Sequence, residues 1–402
     1  MSPAPGRTSR RRRLLLGLIA LLLVADAALV GALMSRRTSR DPAGVFGVLR
    51  RHGLAAALDT LESAAREDTV VLRQGHQLAH ALGREAVRLS GGDASVIGQC
   101  TPVFASGCYH GVVEAFVRTG GRVDMAGLER LCVAAGSDER PGPVSECVHG
   151  LGHGVLGAVG DLDATLRLCD GLRPAFQDPC HSGAFMEAIS SALSAAGPDA
   201  GSTHAGHHGA MHGGHRAPGA VAAGPLAIDP ADPYSPCDRY GNPYGSACWL
   251  FQGFVILRRV GFDAGDALRV CDGAPAARVA GCYESIGHQV TGLFQRDDAS
   301  ILAQCERGRT DFAADCAGGA ARALAQIDWS GARALRLCAA SPAAWKETCY
   351  RTAAAVLGTL APEPRRGALC GEVEPGYAET CRRALGGTIF AGTGRYSSVG
   401  EP

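Results

Sequence analysis

Neither sign of charge prevails in this chain. Lys plus Arg and Asp plus Glu each total 39 among 402 residues, so no basic field exists to drive nucleic-acid binding. Aromatic residues make up only 5%, and slim helices rich in Ala and Gly bury little area per residue. No stretch alternates Val, Ile and Thr with period two, which argues against strands. Signatures of the common enzyme classes are missing as well. The run HGLGH at 149–153 lacks the Glu of a zinc-peptidase helix. There is no C-x-x-C redox pair, no C-x-x-C-H haem attachment, no G-x-S-x-G elbow and no phosphate-binding loop.

What the chain has in quantity is cysteine, and its sixteen cysteines form eight close pairs. They are Cys100/Cys108, Cys132/Cys147, Cys169/Cys180, Cys237/Cys248, Cys271/Cys282, Cys305/Cys316, Cys338/Cys349 and Cys370/Cys381. Six of the pairs are 11 positions apart, and successive first cysteines step by 32, 37, 68, 34, 34, 33 and 32. A period of this size predicts an elongated repeat array, and an even count in regular pairs predicts near-neighbour disulfides in an oxidising compartment. Each small disulfide loop contributes about 2–3 kcal/mol in the chain-entropy account, so eight of them offset a thin core.

Residues 14–34 read LLLGLIALLLVADAALVGALM, interrupted only by Asp26. At ~1.5 Å per residue this run reaches about 30 Å, enough to cross a bilayer core. Arg7 and Arg10 to Arg13 precede it; Arg36, Arg37 and Arg40 follow. That asymmetry predicts a cytoplasmic segment 1–13, a single-pass anchor 14–34 and a linker 35–44, with the rest outside the cytoplasm. The alternative is a secreted chain cleaved at Ala25-Asp26-Ala27, although the apolar run continues past that site.

One unit illustrates the repeat domain expected over 45–390. The segment CWLFQGFVILRRV from Cys248 reads as a buried helix, and Gly261-Phe262-Asp263 breaks it. AGDALRVC then makes a shorter helix, and the turn-rich DGAPAARVAG returns to Cys282. Each disulfide is therefore expected to tie the end of a short helix to the start of the next long one. Asp93, Asp124, Asp161, Asp263, Asp298 and Asp328 stand where each short helix should begin, the place for an N-cap. The fold class is all-α: a superhelical array of disulfide-linked helical hairpins. GHQLAHALGREA at 75–86 reads as the long helix of a first, cysteine-free repeat, with Gln74 at the cysteine position. An alternative phase aligns Gly75-His76-Gln77 with Gly287-His288-Gln289. Residues 196–233 are a Gly-, Pro- and His-rich insertion, and 391–402 a flexible tail.

This pattern of paired cysteines, a Gly-containing helix, a turn, an Asp and an Ala/Leu helix returning to Cys resembles the Sel1-like repeats, above all their disulfide-bonded secreted versions. CTPVFASGC at Cys100/Cys108 has the shorter loop of that family. The resemblance implies an α/α superhelix and adaptor or binding work.

The histidines carry the chemistry. Counting from the second cysteine of each repeat, position +2 holds His76, His110, His149 and Glu284, and +6 holds His80, Glu114, His153 and His288. His181 stands at +1 of its repeat, with Glu187 at +7. Residues four apart share a helix face, so each +2/+6 set is a donor pair of the kind that holds zinc, iron or copper. Helices ~8–10 Å apart let pairs on neighbouring repeats share one metal or a dinuclear site. The glycines around them, each costing ~1 kcal/mol in a helix interior, suit close approach of backbones or a ligand. A histidine beside a disulfide also serves as a helix cap, but four donor pairs in one phase favour a metal site. The later repeats carry Gly318/Arg322, Arg351/Ala355 and Arg383/Gly387 there, which are not metal donors. On the insertion, His204, His207, His208, Met211, His212 and His215 suit copper or zinc capture, the alternative being a low-complexity segment with incidental affinity.

The sequence therefore predicts a membrane-anchored, extracytoplasmic repeat protein that binds a transition metal through an inner His/Glu face. A metal-dependent enzyme at the same residues and a metal-free scaffold with a protein partner on its concave surface are the alternatives.

Overall fold

The computed structural model describes residues 42–386 apart from 105, 120–122, 138, 196–225 and 294–296. The apolar run 14–34, the six donors of the His-rich insertion and the tail 391–402 lie outside the described residues. Among those described, no helix is long and apolar enough to cross a membrane.

The described residues form sixteen α-helices and four short 3-10 turns, with no strand among them. In order they are α1 (Pro42–Glu67), α2 (Thr69–Leu89), α3 (Gly107–Thr119), α4 (Met125–Ala134), α5 (Gly142–Val159) and α6 (Leu162–Asp170). Then come α7 (Pro174–Ala195), α8 (Gly245–Arg259), α9 (Ala264–Asp272), α10 (Val279–Leu293) and α11 (Asp298–Cys305). The last are α12 (Thr310–Ile327), α13 (Ala332–Ala340), α14 (Ala343–Leu360), α15 (Glu363–Leu369) and α16 (Ala378–Leu385). The chain divides into two compact units that meet between Leu72 and Arg73, inside α2. In the first, α1 is interrupted at Gly53 (φ 86°, ψ 177°), and Val45, Leu49, Leu54, Leu58 and Leu61 are buried.

In the second unit all eight expected disulfides form between near neighbours. Cys100 bonds Cys108, Cys132 bonds Cys147, Cys169 bonds Cys180 and Cys237 bonds Cys248. Likewise Cys271 bonds Cys282, Cys305 bonds Cys316, Cys338 bonds Cys349 and Cys370 bonds Cys381. Their Cα–Cα distances of 5.2 to 5.6 Å suit such a bridge. Five of them tie a short helix to the long helix that follows, Cys370 at the end of α15 bonds into the short α16, and Cys100 and Cys237 lie at short 3-10 segments instead.

The expected attachment at the start of each long helix holds for Cys108, Cys248, Cys282 and Cys381, which lie in a first turn, and needs correction for the other four. Cys147 is the sixth residue of α5, and Cys180, Cys316 and Cys349 are each the seventh of α7, α12 and α14. Cys248, Cys282 and Cys381 are each the fourth residue of α8, α10 and α16; Cys108 alone stands next to a helix start. The long helices begin earlier because residues read as connector can open a helix. Pro174 is the first residue of α7 and Pro143 the second of α5, positions where the missing proline N–H has no helical partner to lose. Cys147, Cys180, Cys316, Cys349 and Cys381 are all fully buried, so the bridges run inside the layer between short and long helices.

The break after α8 falls at Gly261 and Phe262, whose φ values are 67° and 64°. Short helices start where an aspartate caps them: Asp161 accepts from Ala164 N–H and Asp263 from Asp266 N–H. Asp93 caps a 3-10 turn. Two expectations shift. Asp297, one residue earlier than expected, caps α11 because Asp298 is the first helical residue and pairs with Arg333. Asp328 instead ends α12 and bonds the Ser330 N–H, and Gly331 precedes α13. Asp124 precedes α4 without a side-chain cap bond.

Consecutive long helices pack side by side from α3 through α5, α7, α8, α10, α12 and α14 to α16. A continuous apolar cluster runs from Leu156 to Ala384, and position +1 supplies three of its large rings, Trp249, Tyr283 and Tyr350. The series is not simply nearest-neighbour. α5 also meets α14: Glu363 N–H donates to the Glu139 carbonyl (2.8 Å), and Trp329 lies against Gly142 and Tyr109. An elongated array has no such contact between its early and late repeats.

Candidate metal centre

The register between long helices is set by glycine. A Cβ at Gly111 would stand 1.9 Å from the His80 carbonyl oxygen, and one at Gly183 would stand 1.9 Å from that of His149. The same contact joins Gly319 to Glu284. In the two cysteine-bearing cases the carbonyl belongs to position +2, and in all three the glycine is at +3 of the next repeat. His80, not His76, is therefore the +2 residue of the first repeat, and Arg84 is its +6 residue. Gln74 lies one helical turn too early to mark the missing cysteine. Between α3 and α5 the contact is looser: around Gly150 the nearest outside atom is His110 Cα at 3.3 Å, and Val113 stands at +5 of α3. That extra room lies where the imidazoles meet.

Five of the candidate residues come together there. Ring centroids are 5.0 Å apart for His110–His149, 4.6 Å for His110–His153 and 5.0 Å for His149–His153. His76 and His80 stand 5.5 and 6.0 Å from His110. One ligand atom from each of His110, His149 and His153 lies within 4.8 Å of the others, a group able to hold a metal ion. The two Nε2 atoms of His149 and His153 are 3.1 Å apart. Two nitrogens on a tetrahedral zinc, each at 2.0–2.1 Å, stand about 3.3 Å apart.

Their surroundings fix the available lone pairs. His110 is 1% exposed, and neither ring nitrogen has a hydrogen-bond partner among the described residues. Burial, reinforced by the imidazoles of His153, His149, His76 and His80, holds its pKa well below the usual histidine range, so the ring is neutral and able to serve as a ligand. His153 Nδ1 is 3.2 Å from Glu187 Oε2, and Glu187 Oε1 accepts from Ser191 (2.8 Å). A carboxylate accepts the Nδ1 proton and leaves Nε2 facing His149, the usual orientation of a metal-bound imidazole. On the other side Arg84 donates to His80 Nδ1 (2.6 Å) and to Glu114 (2.8 Å), and Arg118 also reaches Glu114 (3.3 Å). Glu114 is thus held in ion pairs at the edge of the cluster.

Three candidates lie elsewhere. His181 occupies the +1 position, equivalent to Tyr283. Its Nε2 bonds Asp170 (2.9 Å) as the Tyr283 hydroxyl bonds Asp272 (2.8 Å), each acceptor following the short-helix cysteine. It is a core residue on the opposite face. Glu284 is buried in an ion pair with Arg322 (2.6 Å), and His288 bonds Gln326 (2.7 Å). Glu187 and Arg84 complete the centre. In the sequence Glu187 stands out only by its +7 position, and Arg84 is hidden by the one-turn error in phase.

The eight disulfides place this helical domain in an oxidising, extracytoplasmic or secreted setting. No protein-family model, no curated protein and no solved structure matches the chain.

Proposed function

We propose that the protein is an extracytoplasmic transition-metal binder whose ligands are His110, His149 and His153, anchored by the apolar run 14–34. The observation that carries this reading is the buried His110, with both nitrogens unpartnered and aimed among imidazoles. A buried polar group is ordinarily satisfied, and an orphan of this kind marks a missing partner. Neutral imidazoles suit zinc, copper or iron better than magnesium or calcium, and with every cysteine bridged no thiolate competes.

The test uses full-length, untagged protein carrying His204→Ser, His207→Ser, His208→Ser, His212→Ser and His215→Ser, so that the insertion contributes no metal. Equilibrium dialysis against zinc or copper, followed by elemental analysis, should give one ion per chain. His149→Ala/His153→Ala should lose it while keeping the helical circular dichroism and the disulfide map. Unchanged occupancy in that double variant would reject the site.

A further inference from the structure

Three imidazoles leave a tetrahedral ion one ligand short. Two more histidines adjoin the group, and their hydrogen bonds treat them oppositely. His76 Nδ1 lies 2.8 Å from the Phe104 carbonyl oxygen. A carbonyl only accepts, so Nδ1 carries the proton and the ring's lone pair is on Nε2. This matches His153 beside Glu187, and it is how a metal-bound imidazole is usually oriented. His80 is set the other way. Arg84 Nη1 is 2.6 Å from its Nδ1, and a guanidinium only donates, so that nitrogen's lone pair is already engaged.

The backbone that orients His76 is itself unusual. Cys100 and Cys108 are separated by 8 positions rather than 11, and between them Phe104 and Ser106 adopt φ of 57° and 60°. Non-glycine residues rarely enter this region, and they remain there when the surroundings over-determine them. The Phe104 ring seats on Gly75, where a Cβ would fall 2.1 Å from its Cδ1. That seating brings the Phe104 carbonyl to His76.

We propose that His76, through Nε2, is the fourth ligand of the centre, and that the disulfide-closed segment around Phe104 positions it. The proposal rests on the reading of His110, His149 and His153 as ligands. Four imidazoles leave no exchangeable position, so the centre holds a borderline divalent ion such as zinc or copper(II) rather than activating water.

Cobalt(II) is the probe, loaded at one equivalent into the full chain with the five insertion histidines replaced as above. The wild-type visible spectrum should be tetrahedral and indifferent to azide. His76→Gln, which keeps the bond to Phe104 but removes the imidazole, should bind cobalt about tenfold or more weakly and shift its bands on adding azide. Gly75→Ala, which displaces the Phe104 ring, should also become azide-sensitive. A wild-type spectrum that azide shifts, unchanged in His76→Gln, overturns the fourth ligand and leaves the three-histidine reading standing. Azide indifference in Gly75→Ala overturns the positioning role of the segment. Failure of wild type to bind cobalt, or full binding by His149→Ala/His153→Ala, overturns the underlying site instead.

Discussion

At the scale of single residues, two glycines of α5 and α7 behave oppositely although both lie inside helices. Gly183 sits against the His149 carbonyl, so Gly183→Ala must push α5 and α7 apart. A loss of about 1–3 kcal/mol is expected, with weaker metal binding, as read by thermal unfolding and dialysis. Gly157 has no outside atom within 4 Å and is exposed, so Gly157→Ala should stabilise by about 0.5–1 kcal/mol. A second expectation concerns pH. Burial, opposed by Gln326 and Glu284 and reinforced by the Arg322 charge, lowers the pKa of His288 to about 4, and burial holds that of His110 well below its usual value. Both are bases with depressed folded-state pKa values. Above about pH 6.5 neither state takes the proton, and as pH falls from there toward 4 only the unfolded chain does. Apo protein should therefore lose stability across that window. Burial raises Glu146 to about 7, so it acts in the opposite sense, losing stability as pH rises from about 4.5 to 7. His288→Gln should flatten the acid limb of unfolding free energy against pH by about 1–3 kcal/mol, and an unchanged limb would contradict the assignment. Of the donor pairs read at +2 and +6, only His149/His153 brings both members into the three-histidine cluster, because those two positions share a helix face. The fate of His181 was not legible in the sequence, since its +1 position reads as a site by residue type and as core by its equivalence to Tyr283.

At the scale of elements, the hairpin was legible almost entirely from cysteine spacing and from the Gly-Phe-Asp break after α8. The starts of the long helices were not. Residues just before Cys147 and Cys180 include Pro143 and Pro174, which read as turn formers yet sit in a first helical turn. The bridge Cys271–Cys282 ties the end of α9 to the first turn of α10, so it shortens the unfolded chain without reaching another repeat. Peptide mapping under non-reducing conditions should recover the eight near-neighbour linkages. Cys271→Ser/Cys282→Ser should cost about 2–3 kcal/mol and leave the other linkages intact. Bridges that cross between repeats would contradict the hairpin. What spacing alone could not settle was the phase of α2, because that repeat has no cysteine. The close approach of Gly111 to the His80 carbonyl settled it.

At the scale of the whole molecule, sequence periodicity implied that each repeat touches only its neighbours. The contact of α5 with α14 has no local signature: Trp329, Gly142 and Tyr109 belong to different repeats and show no pattern along the chain. Trp329→Ala should speed amide exchange in the first turn of α5 as well as around α13, whereas a nearest-neighbour array would confine the effect to α12–α14. The proposed metal centre is shared by α3 and α5 and buttressed by Glu187 of α7. Anomalous diffraction at the absorption edge of the bound metal addresses it most directly. Crystals of the full chain soaked in zinc should show one strong peak within about 2.0–2.1 Å of nitrogens from His110, His149 and His153. Well-ordered crystals with all three imidazoles defined and no peak between them would contradict the account.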